Sequence, residues 1–129
     1  MFRLSNLIKS TLQEQKSRSL DGSIIIWNMT NRCNLLCHHC YSKASANEKE
    51  SLSLEDILKT IPKLKIANIN FVIFSGGEPL LRKDIFEIAQ CMKDNKIMTY
   101  LSTNGTYINE KNAQKNRFFT IGFFSTLHL

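Results

Sequence analysis

Residues 32–42 read Arg-Cys-Asn-Leu-Leu-Cys-His-His-Cys-Tyr-Ser, so three thiols (Cys33, Cys37, Cys40) and two imidazoles (His38, His39) fall within eight residues. Side chains of these types at this density are metal ligands. Two chemistries are open to them. Four thiolates normally hold a [4Fe-4S] cluster, one to each iron, so three protein thiolates would leave one iron for a ligand from outside. Alternatively, the three cysteines and either His38 or His39 complete a tetrahedral zinc set. Zinc knuckles usually draw ligands from two separated turns, whereas here every candidate sits in one short loop. The spacing favours the cluster and leaves zinc open.

The rest of the chain limits what can surround such a loop. With 129 residues, 43% of them hydrophobic, it has the size and composition of one globular unit. No apolar run reaches the roughly 18 residues of a membrane helix, the longest being "SIIIWNM" at 23–29. The opening segment, residues 1–18, lacks the apolar core and cleavage site of a secretory signal, so a cytoplasmic, reduced chain is expected. Reduced thiols favour metal binding over disulfides, and the remote Cys91 reads as a plain core or surface thiol. Net charge is +6, but the lysines are spread over every predicted helix without an arginine stripe. That distribution argues for a solvated surface rather than a nucleic-acid partner.

Hydrophobic periodicity supplies the elements that must position the loop. Leu4, Leu7, Ile8 and Leu12 predict an amphipathic helix, with residues 1–22 as helix and linker ahead of a core over 23–129. The β-branched run at 23–29 predicts a strand buried on both faces. Ser53 is placed to cap a helix running to about Ala67, with Leu54, Ile57, Leu58, Ile61 and Leu64 on one face. Pro62 should kink or end it early. Residues 70–74 predict a second strand, Asp84 the cap of a helix burying Ile85, Ile88, Ala89 and Met92, and residues 97–102 a third strand. Strands alternating with helices pair in parallel, and the loops leaving their C-terminal ends share one rim. The cysteine loop, "SGGEP" at 75–79 and "TNG" at 103–105 all leave strand ends, so they should meet at one site.

Cys33-x-x-x-Cys37-x-x-Cys40 after the first strand, with "GGEP" after the second, resembles the radical S-adenosylmethionine (radical SAM) superfamily. That resemblance implies a parallel (β/α) partial TIM barrel. It also implies a [4Fe-4S] cluster on Cys33, Cys37 and Cys40, whose open iron is chelated by the amino and carboxylate groups of S-adenosylmethionine. The implied reaction is enzymatic: an electron from the cluster splits the sulfonium, and a 5'-deoxyadenosyl radical takes hydrogen from a substrate. Gly76 and Gly77 would let backbone approach the bound methionine, Glu78 would accept a bond from its ammonium, and Pro79 would fix the turn. Thr103 and Asn104, with Ser102 and Gly105, resemble the family's third-strand segment; an Asn-Gly turn accounts for them equally. His39 precedes the third cysteine, where the family holds adenine through the backbone. Tyr41 either flanks the cluster or packs.

Within the superfamily, the opening "MFRLSNLI" with "IIIWNMTNRCNLLCHHCYS" and "FSGGEPLLR" resembles the heme d1 biosynthesis proteins, and more loosely the peptide-modifying maturases. A small-molecule substrate, in the first case a tetrapyrrole, and an electron donor such as flavodoxin or ferredoxin are implied. From about Asn112 the resemblance stops. The segment at 118–126, with four phenylalanines in seven residues, predicts a fourth strand without a following helix. A closed barrel takes upwards of roughly 200 residues, so a barrel truncated after three to four strands, by truncation or frame shift, is the expectation.

Overall fold

The computed structural model describes residues 22–38, 40–42, 44–50, 52–114 and 120–121. The expected N-terminal helix, His39 and most of the expected fourth strand lie outside these residues. Strand β1 (Ser23–Thr30) precedes the cysteine loop; helix α1 (Leu54–Ile66), strand β2 (Ile69–Gly76), a single 3-10 turn (Pro79–Leu81), helix α2 (Ile85–Asp94) and strand β3 (Met98–Leu101) follow. A short helix α3 (Glu110–Ala113) leads to β4 (Thr120–Ile121). The sheet order is β1-β2-β3-β4 and every neighbouring pair is parallel. Parallel neighbours require a crossover between them; α1 carries the chain from β1 to β2 and α2 from β2 to β3.

Local chemistry accounts for the helices. Ser53 accepts the backbone N–H of Asp56 at 3.2 Å and donates its hydroxyl to that residue's carboxylate at 2.6 Å, closing the first turn of α1. Ile57 and Ile61 are buried, and Leu54, Leu58 and Leu64 flank them as the periodicity predicts. The helix does not end early: it continues through the exposed Pro62 to Ile66, with Ala67 as C-cap. A proline whose ring faces solvent loses one backbone bond but leaves the packed face undisturbed. Asp84 occupies the N-cap position of α2 without making a cap bond, because its carboxylate binds Arg82 instead.

Both helices pack on one face of the sheet. Ile57, Ile61, Ile85, Ile88, Ala89 and Met92 meet Met29, Val72, Phe74 and Leu101 in one apolar cluster. The other face departs from expectation. Ile24 and Ile26 of β1 are 50% and 67% exposed, and Met98 beside Phe71 is 48% exposed. The unbroken apolar run of β1 is therefore buried on one face only among the described residues, and the helix-free face is the one a closed barrel would turn inward. Among the described residues, no helix is long and apolar enough to cross a membrane.

The C-terminal ends of β1 and β2 come together unusually closely. The pairing slips between Asn28 and Thr30, an irregularity that turns the chain out of the sheet. There Gly77 donates its N–H to Thr30 O at 2.9 Å, and Glu78 donates to Arg32 O at 2.8 Å. A Cβ on Gly76, whose φ is +124°, would lie 2.2 Å from Thr30 O, and one on Gly77 would lie 2.1 Å from Arg32 O. Both glycines are thus required by the fold itself, independently of any ligand.

Two substitutions test this packing by chemical denaturation of the 129-residue chain. Phe74→Ala, at a fully buried position, should cost about 3–5 kcal/mol. Gly77→Ala should cost about 1–3 kcal/mol by forcing β1 and the loop after β2 apart; an unchanged midpoint would contradict the close approach.

Candidate functional site

The three loops expected at one rim are joined there by direct bonds. The base of the cysteine loop is a small ladder. Cys33 N–H donates to Ser45 O and Ser45 N–H to Asn31 O, both at 3.1 Å, so the outgoing and returning legs run side by side. On its other edge lies the Gly77-Glu78 backbone. Arg32 N–H also donates to Thr30 Oγ1 at 3.0 Å, which fixes the bend into the loop. Further out, Cys40 N–H donates to Cys37 O at 3.1 Å, a tight turn that holds these two cysteines near one another in the chain path.

The three thiols differ in setting. Cys33 is buried, Cys37 and Cys40 are exposed, and none is in a disulfide. Leu35 N–H points at Cys33 Sγ at 3.4 Å, and Cys40 Sγ lies 3.1 Å from Ser42 Oγ. His38 is exposed. Among the described residues no three His, Cys, Asp or Glu side chains are grouped around a single ion position. A cluster that gives each thiolate its own iron does not ask them to share one ion. Three undisulfided thiols on one anchored loop are a donor set of the right chemistry for such a cluster.

Glu78 is buried completely, and its carboxylate accepts three hydrogen bonds. Oε1 accepts Leu80 N–H at 2.9 Å and the Thr103 hydroxyl at 2.8 Å; Oε2 accepts Asn104 N–H at 2.7 Å. The acid that the motif suggested for the cofactor's ammonium therefore ties the loop after β2 to the loop after β3. Pro79 is buried at the first position of the 3-10 turn, where its fixed φ suits the geometry. Thr103 is buried and Asn104 half-buried. Asn104 reaches across to the cysteine loop, where its Nδ2 donates to Asn34 Oδ1 at 3.1 Å. Tyr41 is largely exposed, with its hydroxyl 3.2 Å from Ser75 Oγ at the end of β2.

Arg82 was not singled out by the sequence, though it is the most densely bonded side chain near the site. It is 3% exposed and uses all five of its N–H donors. Nη1 donates to Met29 O at 3.0 Å and Glu50 at 3.4 Å, Nη2 to Leu52 O at 3.1 Å and Asp84 at 3.1 Å, and Nε to Asp84 at 2.6 Å. It thereby fastens the returning leg of the cysteine loop to the end of β1. The available signal was an arginine directly following the apolar Pro-Leu-Leu turn, with Asp84 two residues on. Cys91 lies on α2 away from the loops, and partial burial together with Asp94 and Glu87 raises the pKa of its thiol, as suits an inert structural cysteine.

Comparison with known proteins identifies the family. The profile of the Radical SAM superfamily matches residues 27–120. Fe-coproporphyrin III synthase of Methanosarcina barkeri is 42% identical over 93 residues, covering 71% of this chain and 23% of that protein. Pre-heme d1 synthase of Dinoroseobacter shibae is 35% identical over 127 residues, covering 95% of this chain and 31% of that protein. The chain thus spans about a quarter to a third of the length of these relatives. The crystal structure of BtrN in complex with AdoMet and 2-DOIA superposes with a TM-score of 0.61 at 22% identity, over 76% of this chain and 42% of that one, and shares the partial (β/α) barrel fold. By its sequence profile and its relatives, the chain belongs to the radical SAM superfamily.

Proposed function

We propose that Cys33, Cys37 and Cys40 hold a [4Fe-4S] cluster whose remaining iron takes S-adenosylmethionine, and that the chain serves as the core of a radical SAM enzyme acting on a tetrapyrrole. The observation that carries this reading is the anchored loop: three undisulfided thiols whose base is bonded on one edge to Ser45 and on the other to Gly77 and Glu78. The chemistry supplied by such a cluster is reductive cleavage of the cofactor's carbon-sulfur bond to a 5'-deoxyadenosyl radical, in keeping with the superfamily.

The chain's own residues do the positioning. Thr30 and Arg32 set the exit of the loop from β1. The Gly76-Gly77 backbone passes beside the cysteine loop with no side chain between them, leaving main chain available to the cofactor's amino-acid end. Glu78 shapes that segment and holds Thr103 and Asn104 beside it, and the exposed Cys37 and Cys40 leave the outer side of the loop open to cofactor. His39 supplies the backbone contact to adenine. A tetrapyrrole substrate is supported by the relatives named for Fe-coproporphyrin III and pre-heme d1 synthesis. The apolar sheet face of Ile24, Ile26 and Met98, exposed among the described residues, also suits a large flat ligand. The electron comes from a small redox protein such as flavodoxin or ferredoxin, in a cytoplasmic setting.

Anaerobic reconstitution with iron and sulfide tests the proposal. Close to four irons and four sulfides per chain are expected, with uptake falling severalfold when any one of Cys33, Cys37 or Cys40 is changed to Ala. One tightly held zinc per chain with no iron uptake would instead establish a zinc-binding module.

A further inference from the structure

Asn104 does more than link two loops. Its Nδ2 lies 3.9 Å from Cys33 Sγ, the one buried thiol of the three, while the same nitrogen donates to Asn34 Oδ1 at 3.1 Å. Which end of the amide faces the sulfur is settled by its neighbours. Asn104 Oδ1 accepts the backbone N–H of Thr106 at 3.0 Å and the Thr106 hydroxyl at 2.7 Å, and a backbone N–H can only donate. The carbonyl end is therefore committed to Thr106 and the amino end to the cysteine loop. Asn34 Nδ2 closes the ring by donating to Thr106 Oγ1 at 2.9 Å. One amide hydrogen serves Asn34, and the other is left for the sulfur.

The geometry points to Asn104 as a positioning residue that, with Leu35 N–H, donates to the Cys33 sulfur and raises the reduction potential of the cluster. This rests on the proposed ligation by Cys33. An N–H donor stabilises negative charge on a ligand sulfur, and the reduced cluster carries one more electron than the oxidised one, so the donor favours reduction. The effect is strengthened by burial, since Cys33 is shielded from water where Cys37 and Cys40 are not. Because Asn104 also bonds Glu78 through its backbone, the loop keeps its place even when the side-chain donor is removed.

The test is a redox titration of the anaerobically reconstituted 129-residue chain without S-adenosylmethionine, following the cluster by visible absorption. Asn104→Ala should keep the wild-type iron and sulfide content and shift the midpoint potential downward, a severalfold drop in the one-electron equilibrium constant. Asn104→Asp, which sets carboxylate oxygens against the sulfur, should shift it further. Asn34→Ala keeps the amide but frees its orientation and should give a smaller shift of the same sign. A fully loaded Asn104→Ala cluster at the wild-type potential would overturn the assignment. Should Asn104→Ala fail to load, an unmoved potential in Asn34→Ala would overturn it. Failure of the wild-type chain itself to take up a cluster would instead refute the ligation on which it rests.

Discussion

The site depends on one buried residue, Glu78, that bonds in two directions at once. Its main-chain N–H donates to Arg32 O at the start of the cysteine loop, and its carboxylate gathers Leu80, Thr103 and Asn104. A fully buried carboxylate is costly unless its lone pairs are served, so the groups that serve it must be in place whenever the chain is folded. Here those groups come from its own turn and from the loop after β3. Three loops that are remote in sequence are therefore held in register by a single side chain and its own amide. A strand-end rim is a general feature of parallel α/β architecture, but the alignment of these particular loops is specific to Glu78.

Arg82 performs the complementary task four residues later. Its guanidinium is buried and completely satisfied, and four of its five bonds go to Met29, Glu50 and Asp84 in an arc that ends on the returning leg of the cysteine loop at Leu52. Glu50 also lies 4.0 Å from Arg32, so the acid sits between two cations, Arg32 on the outgoing leg and Arg82 in the loop after β2. Glu78 faces β3 and Arg82 faces β1, with the Pro79–Leu81 turn between them. The loop after β2 is thus the fixed member, against which the cysteine loop on one side and the Thr-Asn-Gly segment on the other are placed. Such buried polar contacts add specificity of arrangement more than net stability, since each replaces bonds to water.

What the sequence could and could not reveal follows from the range of the forces involved. Helix faces were legible because burial on one side writes a 3.6-residue period into the chain; Ile57, Ile61, Ile85, Ile88 and Met92 are where that period puts them. The joining of the three loops was legible from topology alone. Asp84 and Arg82 were not, because the choice between capping α2 and pairing with an arginine is made by tertiary neighbours from β1 and the cysteine loop. The same holds for β1: an unbroken apolar run looks identical whether one face or both are covered, and among the described residues no helix lies over Ile24 and Ile26. The glycines of the Gly-Gly-Glu-Pro segment were marked for close approach to a bound cofactor; the close approach that the fold itself makes there is to Thr30 and Arg32. His39 and the expected N-terminal helix lie outside the described residues.

The central claim is that three protein thiolates leave one iron of the cluster for an outside ligand. Electron paramagnetic resonance of the reduced, reconstituted chain, recorded with and without S-adenosylmethionine, reads that iron directly. The account predicts that the g-values of the reduced cluster change on adding the cofactor, because its amino and carboxylate groups bind the unligated iron. Superimposable spectra from a fully loaded cluster would mean that the fourth position is closed, and would contradict it.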